Sequence, residues 1–437
     1  MFIFLSDMMD TNKVLDILKK YNYRDGIVGD LWYLRTSYLQ HLFESLWVSD
    51  LVKVLIWQRR AGKSYIMRQL ISSLITDKKV DPLDILYLNM EYLELNFIKT
   101  SEDLHQVFQL FLANSRNSTH KKYLFVDEVQ EIDGWEKCIN SLRADPTIDV
   151  EIFISGSNSK LLSGELATYL SWRYLTFDIY PFSYAEFLWI QNINPSRESL
   201  IHYLNLWWIP EIYNLPSDEL KENYIISLRN TLILKDIVQR YHVWDIDLFE
   251  KIFLFLIWNI WNLNSLNAIY KKLQSQNIKI SLTTLWNYIL YLQEIFVFHG
   301  VSRFDTKGKK ILEWEKKYYL NDLALLNFWY LSVDRFMGKK LENFVFNQLV
   351  QHGFSVKIWV YGKQEIDFIV EKKGKKMYLQ VCYLLSDEDV IQREYRSLRS
   401  IQDSFPKYVV SMDDMGLPVD DYWIQHCKAW EMDQILF

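Results

Sequence analysis

Glycine is scarce: the chain has 13 in 437 residues, where average usage of ~7% would place about 31. Tight turns, helix ends and phosphate loops draw on glycine's access to positive φ, so something else must fill such places here. Three cysteines, Cys138, Cys382 and Cys427, stand apart without C-x-x-C spacing, which excludes a disulfide framework and a cysteine zinc site. His299, His352 and His426 show no H-x-x-x-H spacing, so a histidine zinc site is not expected either. There is no run of ~18 uncharged apolar residues, so no membrane span is expected. The start, MFIFLSDMMD, lacks the basic region and cleavage site of a signal peptide. These features together predict a cytoplasmic protein. Positive charge is not in excess: 49 Lys+Arg against 55 Asp+Glu leave a net charge of −6. That disfavours a globally basic nucleic-acid binder without excluding a local basic face. No G-x-S-x-G elbow occurs.

What is present is tryptophan, 17 residues, in a chain long enough for two or three domains of ~100–200 residues each. From Leu51 onward, short apolar runs alternate with amphipathic stretches, as when strands feed helices in a parallel sheet. Leu51–Ile56, Asp84–Asn89, Tyr123–Val126 and Val150–Ser155 read as buried strands. Ser64–Ile75 reads as a helix with Ile66, Leu70 and Leu74 on one face. Residues 1–190 form the first expected domain. Residues 191–330 read as helical, with helices Ser265–Lys272 and Ser281–Tyr291, a strand at Ile295–Phe298 and a returning polar ribbon. That order suggests a winged helix. Residues 331–437 predict a small α/β domain: a helix from Glu342, then strands Val356–Val360, Glu365–Val370 and Met377–Val381.

The first strand runs into Trp57-Gln58-Arg59-Arg60-Ala61-Gly62-Lys63-Ser64-Tyr65. This matches G-x-x-x-x-G-K-[ST] at every fixed position except the first. Backbone N–H groups of such a loop, with the helix N-terminus behind them, wrap a β-phosphate. Gln58 to Tyr65 are therefore the expected ATP-binding segment, with Lys63 on the β/γ oxygens and the Ser64 hydroxyl on Mg²⁺. Two strands later, YLFV ends in Asp127 and Glu128. Asp127 is expected to hold Mg²⁺ and Glu128 to polarise the attacking water. The strand VEIFIS ends in Gly156-Ser157-Asn158-Ser159, where Asn158 could reach the γ-phosphate or the water; a plain turn is an equal reading.

These residues resemble bacterial and archaeal AAA-type ATPases with a C-terminal domain of unknown function. The likeness runs through RRAGKSYIMRQLI, LFVDEVQEIDGWEK, ISGSNSKLLSGELATYLS, IYPFSYAEFL, Pro210-Glu211 and EIDFIVEKKGKKMYLQV. The resemblance implies ATP binding and hydrolysis, and makes Arg173 a candidate phosphate-sensing arginine, against the plain alternative of a surface ion pair. The family pattern has glycine where this chain has Trp57, Trp172, Trp207 and Trp208, a reading that extends to Trp258, Trp261, Trp314, Trp359 and Trp423; Trp135 is shared. Trp314 and Trp423 read locally as turns. Some bacterial lineages read UGA as glycine, so translation with the wrong table would write tryptophan at such sites. A real indole at position 57 is expected to crowd the phosphate cradle.

Glu342, Asp367 and the strand through Gln380 and Cys382 resemble a PD-(D/E)XK nuclease skeleton, in which acids hold Mg²⁺ and a lysine assists. Gln380 and Cys382 replace an acid and the lysine, so an inactive nuclease-like domain is expected, with Asp367 binding metal weakly or pairing with a lysine such as Lys363. The helix Ser281–Tyr291 carries no Arg or Lys; Arg303, Lys307, Lys309, Lys310, Lys316 and Lys317 sit in the ribbon instead. The fold expected overall is an α/β P-loop NTPase domain followed by a helical winged-helix domain and a small α/β nuclease-like domain. Its cofactors are ATP and Mg²⁺, hydrolysis is coupled to a domain rearrangement, and a DNA or protein partner and an oligomer stay open. The alternative is a nucleotide-independent DNA-binding or scaffolding module with a degenerate phosphate loop.

Overall fold

The computed structural model describes all residues except 1–10, 30, 47–50, 116–119, 160–172, 206–208, 232–236, 260–263, 306–309, 328–335, 362–363 and 437. Two compact units emerge, Met1–Ile179 and Tyr180–Phe437. The break lies before the expected boundary at residue 190 because Tyr184 and Phe187 are core residues of the second unit, where Tyr184 meets Phe344 edge-on.

The first unit is built on five parallel strands: β1 (Val52–Ile56), β2 (Ile85–Asn89), β3 (Lys122–Asp127), β4 (Val150–Gly156) and β5 (Tyr174–Asp178), in the order β2-β3-β4-β1-β5. Every residue of β1 and β3 is buried. That is what a parallel sheet covered on both faces demands, and it explains strand sequences that are nearly continuous in apolar residues. Helices Lys63–Thr76, Ser101–Asn114 and Trp135–Ala144 supply the crossovers. In this strand order β4 lies between β1 and β3, so its C-terminal end separates the loop after β1 from the residues after β3.

The second unit runs helix Ile246–Asn259, β6 (Asn264–Ser265), helices Leu266–Ser275 and Leu282–Glu294, β7 (Phe298–Asp305) and β8 (Lys310–Leu320). The two serines read as helix starts are N-caps: Ser265 accepts from the Ala268 N–H and Ser281 from the Thr284 N–H. Helix Met337–Gln351 comes next, then β9 (Ser355–Tyr361), β10 (Gln364–Lys372), β11 (Lys375–Val381), helix Glu388–Arg399, β12 (Lys407–Ser411) and β13 (Ile424–Lys428). The ribbon β7–β8 is not free-standing. β7 pairs in parallel with β9, giving one eight-stranded sheet, β13-β12-β11-β10-β9-β7-β8-β6, which contributes to a large core cluster and to a smaller one with Tyr395 and Leu398. Among the described residues, no helix is long and apolar enough to cross a membrane.

Two local expectations differ from the structure. Ile295–Phe298 is not a strand, since the helix continues to Glu294 and closes with Val297 N–H on the Leu292 carbonyl, leaving Phe298 to begin β7. A buried helix end and a short strand present the same apolar run. Trp314 is not in a turn either. It lies inside β8, where the register with β7 slips between Ser302 and Arg303 and residues 313–315 have no partner on β7, a bulge of the kind glycine often occupies. Trp423 does stand in a turn, 81% exposed and with φ of +61°.

Candidate active site at the sheet's C-terminal edge

The segment after β1 folds back as a loop. Gly62 has φ of +98°, in the left-handed region, and immediately precedes helix Lys63–Thr76, whose N-terminus no side chain caps. Such an end presents unused N–H groups and the positive pole of the helix dipole, a setting for phosphate. Lys63 is buried, and its ammonium donates to the carbonyls of Trp57 (3.1 Å) and Gln58 (3.0 Å) while standing 3.9 Å from Glu128 Oε1. Around the loop, Arg59 Nη1 pairs with Glu91 at 2.5 Å and Arg35 Nη1 donates to the Ala61 carbonyl at 3.2 Å. Buried Gln69 ties the preceding segment to the helix, donating to the carbonyls of Leu31 and Tyr33. Arg60 is exposed with φ of +67°. Tyr65 stacks on Trp32 with ring centroids 4.0 Å apart.

Asp127 ends β3, fully buried. It accepts hydrogen bonds from the Ser155 hydroxyl and from Tyr87 Oη at 3.0 Å. Burial first, then the Glu128 carboxylate, push its pKa above the ordinary value; the Ser155 and Ser64 hydroxyls and Lys63 work against that rise. The Ser64 hydroxyl thus lies near enough to Asp127 to favour its charged form, which brings together the two residues expected to hold Mg²⁺. Mg²⁺ needs only one or two protein ligands beside phosphate and water, so this pair fits the ion; no cluster of three or more His, Cys, Asp or Glu able to hold a metal occurs among the described residues.

Glu128 comes next with φ of +57°, its N–H donating to Ser155 Oγ at 3.1 Å and its carboxylate accepting from Gln130. Burial would raise its pKa, but Lys63 and Arg59, helped by Gln130 and Ser157, hold it below the ordinary glutamate value. The general-base candidate is therefore ionised at neutral pH, as water activation requires.

Asn158 is buried just beyond β4; nearby, the Ser155 hydroxyl donates to Asp127 and Ser157 Oγ accepts from Gln130 Nε2 at 3.4 Å. Sequence reasoning passed over Ser155, Gln130 and Tyr87. The available signal was a serine closing an otherwise apolar buried strand. Arg173 is not brought to this site in its own chain. Val52 at the start of β1 pairs with Tyr174, and the Arg173 carbonyl accepts the Val52 N–H. The exposed Arg173 thus lies at the end of β1 opposite the loop, roughly 15 Å away at ~3.3 Å per residue. At position 57 the indole is buried, and the backbone is not in the left-handed region. The case for glycine there rests on side-chain crowding and not on φ. Trp172, Trp207, Trp208 and Trp261 lie outside the described residues.

In the second unit, a different cluster forms around Lys317. Its buried ammonium lies 2.7 Å from Glu342, 3.2 Å from Glu365 and 3.9 Å from Asp367, and Tyr319 Oη donates to Glu342 at 2.7 Å. The partner of Asp367 is therefore Lys317; Lys363 lies outside the described residues. Asp367 sits where the β9–β10 register slips and accepts the Val381 N–H at 2.8 Å. Burial, then Glu342, push Asp367 well above the ordinary carboxylate range. Gln380 is turned to Glu394 at 3.0 Å, and the Cys382 thiol, raised by burial to about 12, donates to the Leu384 carbonyl.

Residues 49–188 match the model of an AAA domain family, residues 197–335 a domain of unknown function (DUF8612) and residues 337–430 another (DUF4143). An uncharacterized protein of Haemophilus influenzae is 31% identical over 382 residues, spanning 86% of this chain and 92% of the relative. An uncharacterized protein of Methanocaldococcus jannaschii is 29% identical over 398 residues, 86% of each chain. Among solved structures, a Walker-type ATPase of Pyrococcus abyssi superposes with a TM-score of 0.43 at 14% identity, covering 68% of this chain and 96% of that one. At this identity over nearly the full length, the chain belongs to the same family as the Haemophilus influenzae protein, with an AAA domain ahead of two domains of unknown function.

Proposed function

We propose that this protein binds ATP and hydrolyses it with Mg²⁺, coupling turnover to a rearrangement of the domains C-terminal to the ATP site. The observation that carries this reading is the convergence of Lys63, Ser64, Asp127 and Glu128 at one edge of the sheet, with the Lys63 ammonium 3.9 Å from Glu128 and Ser64 near Asp127. Gln58 to Tyr65 cradle the phosphates through backbone N–H groups, and Lys63 moves its charge from loop carbonyls to phosphate oxygens. Ser64 and Asp127 would hold Mg²⁺, which neutralises charge developing on the transferred phosphoryl group. Glu128 takes the proton from water, while Ser155 and Gln130 hold the two acids in place. Lys63→Ala is expected to weaken ATP binding by about 100-fold, or ~2.7 kcal/mol, measured by titration with a fluorescent ATP analogue; unchanged affinity would remove the central claim.

The helix-strand-helix-helix-ribbon order from Ile246 to Leu320, with β6 paired to β8, supports a winged helix in the second unit. The order of helix, three antiparallel strands, helix and parallel strands, with Glu342 and Asp367 drawn together, supports a nuclease-like skeleton. Lys317 amid the acids, with Gln380 and Cys382 turned elsewhere, supports its being inactive.

The tryptophan excess bears on the same loop. Trp423 at φ of +61° and 81% exposure combines strained backbone with an unburied indole. A bulky residue in that region is an outlier, whereas Trp135 and Trp430 are buried as tryptophans ordinarily are. We read the excess as glycine codons translated as tryptophan, including position 57. The tryptic peptide Val54–Arg59 from the native host should then have the mass for glycine, and the gene should carry UGA there and UGG at Trp135. In recombinant protein, Trp57→Gly is expected to tighten ATP binding on the order of tenfold, about 1.4 kcal/mol. Tryptophan in the native peptide, with no gain from the substitution, would favour the nucleotide-independent binding module.

A further inference from the structure

Of the basic residues singled out in the β7–β8 ribbon, Lys317 is buried among three carboxylates, while Lys307 and Lys309 lie outside the described residues. The structure gathers positive charge elsewhere. At the turn between β10 and β11, Lys372, Lys373, Lys375 and Lys376 surround Gly374, with Lys373 and Gly374 both at positive φ. This tight turn sets four ammonium-bearing side chains within five residues, in a chain whose net charge is −6. Lys376 stands 3.9 Å from Asp403; among the described residues, no carboxylate pairs with Lys372, Lys373 or Lys375.

The lysines do not stand on a flat surface. They rim a cavity of about 280 Å³ whose other walls include Phe354, Met377, Tyr408 and Ile435. Lys372 Nζ lies 5.4 Å from the centroid of Phe354, within cation–π range, so its stem lies along the apolar wall with the charge at the edge. Lys373 and Lys375 are exposed at the tip. A solvated lysine turn needs no cavity, and an apolar core defect needs no lysines. Together they make a site for a ligand that is anionic along its length and carries a flat apolar group.

We infer that this hairpin and its cavity bind single-stranded nucleic acid, with phosphates along Lys372, Lys373 and Lys375 and a base lodged against Tyr408 and Phe354. Single strands offer unpaired bases to aromatic walls and a backbone to a positive groove. A duplex keeps its bases stacked and presents only phosphate to such a tip. The cavity is small on the scale of ligand pockets, about 300–1,000 Å³, so it admits one flat group and not a larger molecule. Binding here requires no ATP turnover.

The test is fluorescence anisotropy with a labelled oligo(dT) of about 15 nucleotides, within the span that one small domain covers, and with a duplex of equal length, across a salt series and without nucleotide. The intact chain is expected to bind oligo(dT) more tightly than duplex. Lys373→Ala with Lys375→Ala, both at the exposed tip, should weaken binding at least tenfold and reduce the slope of log K against log salt by about 1.4, that is ~0.7 for each lost phosphate contact. Ile435→Trp, which narrows the cavity, should weaken oligo(dT) binding with the slope unchanged, and Tyr408→Leu serves the same purpose should that variant fold poorly. Lys63→Ala should bind oligo(dT) as the intact chain does, which separates this site from the ATP site. An unchanged slope in the double variant would overturn the inference, as would duplex bound as tightly as oligo(dT), or cavity variants of unaltered affinity.

Discussion

Glu128→Gln is expected to keep ATP binding and lower turnover by about two to four orders of magnitude, the range for removing a general base. The amide preserves the size of the side chain and can still accept from Gln130, but it cannot take a proton from water. Because Glu128 titrates below the ordinary glutamate value, with Lys63 the foremost charge holding it there against burial, it is already ionised at neutral pH. Acidification should thus not slow turnover through this residue until pH falls below the usual glutamate range, near ~4.3. Phosphate release and nucleotide affinity, measured on the same preparation, decide the matter. Full turnover in Glu128→Gln would place water activation elsewhere, and lost binding would show the residue to be structural.

Lys317→Met is expected to destabilise the second unit by about 3–5 kcal/mol, the usual cost of removing one partner from a buried ion pair. Glu342 and Asp367 would be left facing each other with no cation between them. Burial opposes the charge on Lys317, yet Glu342, Asp367 and Glu365 together hold its pKa above the ordinary lysine value. Asp367 too is raised well above its ordinary range, by burial and then by Glu342. A raised carboxyl contributes stability that is complete below the unfolded pKa of ~3.9 and is lost as pH rises through the folded pKa. Asp367→Asn should therefore raise stability at neutral pH and flatten its decline from acid. Urea unfolding at several pH values reads both substitutions. A loss under 1 kcal/mol in Lys317→Met would mean that water reaches the cluster and screens it.

The phosphate loop was legible because its chemistry is local. A strand, a turn, Gly62-Lys63-Ser64 and a helix are contiguous, and the strand ending in Asp127 and Glu128 carries its own apolar signature. Ser155 was harder to see, since its contact with Asp127 spans 28 residues and exists only because β4 inserts between β1 and β3. The surroundings of Arg173 were hard to see for a related reason: they depend on which end of β5 meets which end of β1.

In the second unit, periodicity and N-cap serines located the helices and strands. They did not reveal that β7 joins β9, or that Lys317, read as a basic residue of a solvated ribbon, would be buried beside Glu342 and Asp367. The sequence by itself determined the order of the elements, the loop proposed to bind phosphate and the acids placed beside it, because hydrophobic period and turn chemistry act over a few residues. Only the tertiary structure decided which polar side chains share a site and which lysines remain available to a ligand. Sheet order and register bring together residues far apart in the chain, and burial then sets which charges can persist there.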